Sequence, residues 1–366
     1  MGFVLLSFGI SIIAFTLIIM NTSGRNKYYR SKSPLRLGLA GGGTDVAPYC
    51  ERFGGAILNA TISLYAYATL QPRDDGKIVL HAIDKEEVLT FGSQPSLPLD
   101  GQLDLLKGVY NRVIRDFALK PLSFTLTTYV DAPAGSGLGT SSTLVVTILG
   151  AFAEWLRLPL GEYDLARLAT DIERNDLAIA GGRQDQYAAT FGGVNFMEFS
   201  ANDKVIVNPL RIRSAYLHEL SHNLVLYYTG TSRLSSIIIE AQQRNVENNE
   251  TVSIEAMHQL RRQAVMMKEA LLKGELDKLG EILDFGWQHK KQMAENITNP
   301  AIDEICTAAR NAGATGGKIS GAGGGGFMIF YCPGSSRAQV VKTLATFGGE
   351  IKRYEFTTGG LTTWSI

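Results

Sequence analysis

The segment Pro133-Ala134-Gly135-Ser136-Gly137-Leu138-Gly139-Thr140-Ser141-Ser142 constrains this chain more than any other. Before it, FTLTTYV alternates like a strand, and after it Leu144 to Leu156 forms an apolar run of helical character. Three glycines at alternate positions permit backbone conformations and close approaches that side chains block. Three hydroxyls stand where the helix begins. A helix N-terminus presents unbonded N–H groups and the positive end of a dipole. The junction therefore reads as an anion site suited to a di- or triphosphate, with hydroxyls in reach of a Mg²⁺ ion. A helix cap alone needs one hydroxyl and no glycine series. The chain has no GxxxxGK[ST] and no HRDxxxxN or DFG set, which excludes a Walker-type loop and a protein kinase. A side chain at Gly137 is expected to enter the phosphate path.

Three further segments carry chemistry. In Pro34-Leu-Arg36-Leu-Gly-Leu-Ala-Gly41-Gly-Gly43-Thr44-Asp45, a strand ends in glycines and delivers a Thr and an Asp suited to sugar hydroxyls. Arg36 lies inside that apolar strand, so it requires an anionic partner. In Asp171-Ile-Glu173-Arg174 and Gly181-Gly-Arg183-Gln-Asp185-Gln, two carboxylates flank a turn and could divide metal binding from base work; spacing alone favours separate surface carboxylates. In Lys318-Ile-Ser-Gly321-Ala-Gly323-Gly324-Gly-Gly326-Phe327, the glycines formally satisfy GxGxxG. The dinucleotide fingerprint needs a helix after it, whereas β-like FMIFYC follows here, so a nicotinamide-binding reading fails on context. A glycine run between ordered elements can instead wrap a ligand closely.

The rest of the chain reads as alternating elements. Strands are expected over 28–39, 56–70, 77–83, 87–91, 123–129, 202–208 and 223–228, with helices over 103–117 and 163–178. Residues 235–296 are charged, nearly glycine-free and helically periodic, which predicts two or three helices in a second domain starting near 210. The end reads helix 301–312, strand 327–331, helix 336–347, strand 352–356. Lys plus Arg and Asp plus Glu number 35 each, so nothing in the charge suggests a nucleic-acid partner. Cys50, Cys306 and Cys332 are far apart, which argues against a disulfide framework or a zinc site and for a reducing, cytoplasmic setting. Phe3 to Met20 is uncharged and apolar, at the lower edge of bilayer-spanning length, and Arg25, Lys27, Arg30 and Lys32 follow it. Its readings are a start assigned too early, with Met20 the true one, a membrane anchor, or a buried helix. The positive-inside rule keeps the catalytic body cytoplasmic in the second reading.

Together the four segments resemble the GHMP kinase superfamily, in the family's order, from residue 30 to the C-terminus. The resemblance implies an α+β protein with a ribosomal-protein-S5-like N-terminal domain, residues 28–209, and a ferredoxin-like C-terminal domain, residues 210–366, behind an apolar extension, 1–27. It implies ATP and Mg²⁺. On it, Asp185 matches the catalytic aspartate and Arg36 its basic partner, while Ser141 and Glu173 match magnesium ligands. Pro133, Gly135, Ser136, Gly137, Leu138, Gly139, Thr140, Ser141 and Ser142 match the phosphate cradle. Gly43, Thr44, Asp45, Gly323 and Gly324 match substrate-binding positions.

Within the superfamily, SPLRLGLAGGGTDVAPY, GGRQDQYAATFGG, YTGTSR and GGKISGAGGGGF are similar to the branch that acts on D-glycero-D-manno-heptose 7-phosphate. That implies transfer of the γ-phosphoryl group to the anomeric O1, giving a 1,7-bisphosphate for nucleotide-activated heptose synthesis. The partner is then a small-molecule sugar phosphate, with a membrane involved only if residues 3–20 are an anchor; the oligomeric state stays open. Galactokinases carry GEHTDY where this chain has GGGTDV, which argues against galactose and leaves room for a bulkier sugar. An unphosphorylated sugar such as fucose or galactose is the alternative substrate. A 7-phosphate would need a cationic partner, for which Arg183, Arg233, Lys290 and Lys291 are candidates.

Overall fold

The computed structural model describes residues 27–231 and 235–366; the apolar run at 3–20 and Arg233 lie outside the described residues. The first half runs β1 (Tyr29–Ala40), α1 (Tyr49–Phe53), β2 (Gly55–Pro72), β3 (Lys77–Ala82), β4 (Glu87–Gly92), α2 (Asp104–Val113) and β5 (Phe124–Val130). It continues with α3 (Thr140–Leu156), α4 (Glu162–Asp171), α5 (Gln184–Phe191), β6 (Val194–Ser200) and β7 (Lys204–Pro209). The second half runs α6 (Ser214–Asn223), β8 (Leu224–Tyr228), α7 (Ser235–Glu247), α8 (Thr251–Lys273), α9 (Leu279–Lys290) and α10 (Pro300–Asn311). Then come β9 (Gly316–Ile319), β10 (Phe327–Tyr331), α11 (Arg337–Leu344), β11 (Glu350–Lys352) and β12 (Thr362–Ser365).

Two sheets result. The larger has the order β12-β1-β2-β5-β3-β4, with β6 on the other end of β2 and β7 on β6; only β3 and β5 pair in parallel. The long β2 makes this possible, because Gly55–Ala60 pairs with β6 while Ala66–Pro72 pairs with β5. The smaller sheet has the order β11-β8-β10-β9 and is antiparallel throughout. Sheets with helices of this order make a two-domain α+β protein, as expected.

β1 is the spine of the site. Successive side chains of a strand face opposite ways. Leu35, Leu37 and Leu39 enter the core, and Arg36 and Gly38 face a cleft. Helix α3 packs on β1 and β2 and is buried without a break from Ser142 to Phe152, which suits a helix apolar on nearly all sides. In the second half, α8 packs on β1 and β2, and α9 packs on β9, β10 and β1, so α9 joins the two sheets.

The structure adds elements that periodicity did not reveal. α5, β6, α6, β9 and β12 occupy stretches with short or mixed patterns. The helix expected to reach residue 178 ends as α4 at Asp171 and continues into a π turn over Ile172–Asp176. The strand expected over 352–356 stops at Lys352, because the chain crosses to the larger sheet, where Phe356 bridges Ile62. β12 then pairs with β1, so the C-terminal end belongs to the first sheet, not the second.

Candidate active site

The cleft begins where the glycine segment meets β1. The backbone N–H of Arg36 donates to the Leu138 carbonyl, 3.2 Å, and its Nη1 donates to the Gly137 carbonyl, 2.5 Å. Arg36 thereby fixes the loop from both main chain and side chain. Gly135, Gly137 and Gly139 have φ of 71°, 87° and 78°, the left-handed region that favours glycine. Gly139 closes the loop as the residue before α3, and its carbonyl accepts from the Thr143 N–H, 2.9 Å. The N–H groups of Thr140, Ser141 and Ser142 belong to the first turn and have no partner within the helix. These three residues line a cleft of about 300 Å³.

Asp185 stands beside that helix start. It lies in the first turn of α5, and its Oδ1 accepts from Arg36 Nε at 2.7 Å. This is the anionic partner that a buried strand arginine requires. A Cβ on Gly139 would sit 3.0 Å from the Asp185 Cγ, so the cradle and the carboxylate are neighbours only because position 139 is a glycine.

Glu173 reaches the same cleft from the π turn, a helix distortion frequent at functional sites. The extra residue in that turn carries its side chain inward, to 1% exposure. Glu173 Oε1 accepts from Ser141 Oγ at 3.1 Å, and Oε2 accepts from Gln186 Nε2. Gln186 also donates to Ser142 Oγ, 3.0 Å, and so ties Glu173 to the helix start. A hydroxyl and a carboxylate side by side are hard oxygen donors. They fit Mg²⁺, which is held by few protein oxygens and by substrate phosphates. No group of three or more His, Cys, Asp or Glu side chains suited to a metal occurs among the described residues.

Asp45 has one oxygen engaged structurally. Its Oδ2 accepts from the N–H groups of Arg183, 2.9 Å, and Gln184, 3.0 Å, and so caps α5 from a distant loop. Burial pushes its carboxyl up from the ordinary value, opposed by those amides. Gly182 packs so closely that any Cβ there would fall on the Asp45 carboxylate. Arg174 holds the 179–182 loop through the carbonyls of Ile179 and Gly182.

Of the expected site residues, Arg36, Gly43, Asp45, Gly135, Gly137, Gly139, Thr140, Ser141, Ser142, Glu173 and Asp185 line one cleft. Others are placed elsewhere. Thr44 is fully buried, and its hydroxyl bonds to the backbone of Gly41 and Ala56, which staples the loop and leaves nothing for a substrate. Gly323 and Gly324 pack against Ile297, with the Gly324 N–H donating to the Ile297 carbonyl at 2.8 Å; Gly321 and Ala322 take the place on the wall. Leu138 points into the core, Pro133 forms the turn before the cradle, and the Ser136 carbonyl accepts from Phe327. A Cβ on Gly137 would overlap the Ser320 carbonyl oxygen, so a side chain there collides first with the backbone of the second glycine segment.

The two glycine segments thus interlock. Ser320 Oγ donates to the Gly137 carbonyl, 2.9 Å, and a Cβ on Gly321 would sit 2.7 Å from the Gly137 Cα. Sequence reasoning missed Gln184 and Gln186, and it assigned no role to Lys318, which lines the cleft with Lys290. The signal for Lys318 was present: a lysine inside a short, otherwise apolar strand poses the same question as Arg36. Of the other cationic candidates, Arg183 is paired with Glu51 and Asp203, and Lys291 lies over the Trp287 ring.

Oxyanion donors without a nucleophile, and one carboxylate facing them across a glycine, suit transfer of a charged group to a hydroxyl. Such a constellation defines a phosphotransferase. Family models agree: the GHMP kinases N terminal domain matches residues 104–193, and the GHMP kinases C terminal matches residues 267–349. A D-glycero-alpha-D-manno-heptose 7-phosphate kinase of Campylobacter jejuni is 48% identical over 340 residues, covering 93% of this chain and all of that protein. The crystal structure of a D-glycero-D-manno-heptose 1-phosphate kinase from Bacteroides thetaiotaomicron superposes with a TM-score of 0.79 at 47% identity, over 92% of this chain and 99% of that one. An L-fucokinase/L-fucose-1-P guanylyltransferase of Bacteroides fragilis is 28% identical over 89% of this chain, which spans 37% of that protein. The chain belongs to the GHMP kinase family and is a phosphotransferase with an alcohol group as acceptor. Among the described residues, no helix is long and apolar enough to cross a membrane.

Proposed function

We propose that this enzyme transfers the γ-phosphoryl group of ATP to the anomeric O1 of D-glycero-D-manno-heptose 7-phosphate, giving the 1,7-bisphosphate. The observation that carries the proposal is the Asp185 carboxylate, held by Arg36 at 2.7 Å and facing the α3 N-terminus across Gly139. Phosphoryl transfer needs positioning and charge neutralisation more than covalent help. The amides of Thr140, Ser141 and Ser142 would hold the polyphosphate, and the helix dipole would offset its charge. Ser141 and Glu173 would hold Mg²⁺, which when bound neutralises charge on the β- and γ-phosphates. Asp185 would accept the proton from O1, whose acidity exceeds that of an ordinary alcohol, so that a modest base suffices. Asp45 and the Gln184 side-chain oxygen Oε1, a buried acceptor with no partner among the described residues, would orient sugar hydroxyls.

The similarity to the C. jejuni heptose 7-phosphate kinase supports this substrate. The two heptose kinases are named for different phosphates, position 7 against position 1. Turnover of ATP against heptose 7-phosphate, heptose 1-phosphate, free heptose and fucose tests the proposal, with NMR locating the new ester. It predicts a preference for the 7-phosphate and a new ester at O1. A preference for fucose, or an ester at another carbon, would refute it.

A further inference from the structure

Three cations buried to 3–5% exposure, Arg36, Lys290 and Lys318, converge on the cleft. Arg36 is matched by Asp185. Glu173 is engaged by Ser141 and Gln186, and one oxygen of Asp45 by two amides. Among the described residues, no carboxylate lies within salt-bridge distance of Lys290 or Lys318. Lys290 Nζ donates to the Gly42 carbonyl at 3.3 Å, and Lys318 Nζ donates to the Gly38 carbonyl. An ammonium has three N–H groups, so donors remain on both.

Such an arrangement is unfavourable in the empty protein. Burying an ammonium without a directly paired counter-charge is costly. Lys290 ends α9, and the dipole there offsets only a small part of that cost. The cost shows in both groups: burial pushes Lys290 down to about 8, only partly opposed by the charge of Asp45, while burial and the charges of Lys290 and Arg36 hold Lys318 well below the ordinary lysine value. A dianion between the two lysines would remove the penalty and supply acceptors for the remaining donors.

We infer that Lys290 and Lys318 form a phosphate subsite on the acceptor side of the cleft, taking the phosphate monoester that the sugar already carries. This rests on the sugar-phosphate kinase reading above and adds the residues that select a phosphorylated sugar over a free one. Both lysines are anchored to carbonyls of β1 and the loop after it, the stretch that leads to Gly43 and Asp45. Neither hydrogen-bonds to the 133–142 cradle, which already has its own amides for the nucleotide.

The test compares wild-type enzyme with Lys290→Met and Lys318→Met. The ratio of kcat/KM for heptose 7-phosphate to that for free heptose should collapse by roughly 10- to 100-fold in each variant, the size of one charge-assisted hydrogen bond, with KM for ATP within about twofold. Lys290→Arg should restore part of the preference, and it carries the test if Lys318→Met does not fold. Inorganic phosphate titrated into AMPPNP-saturated protein should bind the wild type and bind Lys290→Met at least about tenfold more weakly. An unchanged ratio overturns the inference, and so does a rise in KM for ATP in place of the sugar phosphate. Absence of wild-type activity on every phosphorylated sugar would count against the substrate reading instead, and the inorganic phosphate titration would then decide the lysine subsite alone.

Discussion

The wall made by Gly135–Ser142 contains no charged side chain, whereas the wall made by β1, α9 and β9 buries Arg36, Lys290 and Lys318. Both face one cleft, and both suit anions. The first uses amides aligned by a helix start and by glycines in the left-handed region. Its donors carry no net charge, so preorganising them brings little desolvation penalty. The second uses full charges taken from water, which are stable there only with a partner. Backbone amides give an anion site of fixed shape, which suits the nucleotide proposed there; buried charge gives one whose strength depends on the charge of its partner, which suits the proposed acceptor phosphate.

Predictions follow that contrast from the largest effect to the smallest. Asp185→Asn keeps the backbone cradle but removes both the proposed base and the counter-charge of Arg36, so kcat should fall by at least about 10²–10⁴ with ATP affinity within about threefold. Steady-state kinetics with a fluorescent nucleotide titration would check it, and near-wild-type turnover would remove Asp185 from the mechanism. Gly137→Val attacks the first wall. Its Cβ would meet the Ser320 carbonyl at a φ of 87°, so we expect at least about 2 kcal/mol of destabilisation together with loss of nucleotide binding. Chemical denaturation separates the two effects; weaker ATP binding at unchanged stability would mean that the side chain does enter the phosphate path.

The second wall should be sensitive to pH. Burial pushes the Lys290 ammonium down to about 8, with Asp45 and Arg36 facing it from β1 and its loop and Lys318 from β9. A bound phosphate favours the ammonium. Affinity for a sugar phosphate is therefore full below about pH 8 and is lost as pH rises through that value, by up to about tenfold per unit. KM measured from pH 6.5 to 9.5 checks the sign, and Lys290→Met should flatten the rise. The smallest effect is at the joint between the glycine segments. Ser320→Ala removes one of two donors to the Gly137 carbonyl and should cost about 1 kcal/mol of stability.

The same contrast explains what could be read from the sequence. The cradle is contiguous, and its chemistry resides in residue types and order, so 135–142 and the helix after it were legible. Arg36 was legible as a strand charge in need of a partner, although only the fold shows that the partner is Asp185, 149 positions away. Lys290 is the last residue of an amphipathic helix, and nothing local separates it from Lys291, which lies over Trp287. The roles of Thr44, Gly323 and Gly324 were misplaced for a related reason. A short hydroxyl or a glycine beside a site serves the loop's own backbone as readily as a ligand. β12 was missed because a four-residue strand pairing at the chain's far end leaves almost no periodic trace.

The central claim is that the amides of Thr140–Ser142 hold the polyphosphate beside Asp185. A crystal structure with AMPPNP and heptose 7-phosphate tests it most directly. It should show the terminal phosphate on those amides, and sugar O1 within hydrogen-bond distance of the Asp185 carboxylate. A polyphosphate bound away from the α3 N-terminus, or a sugar whose O1 points away from Asp185, would contradict it.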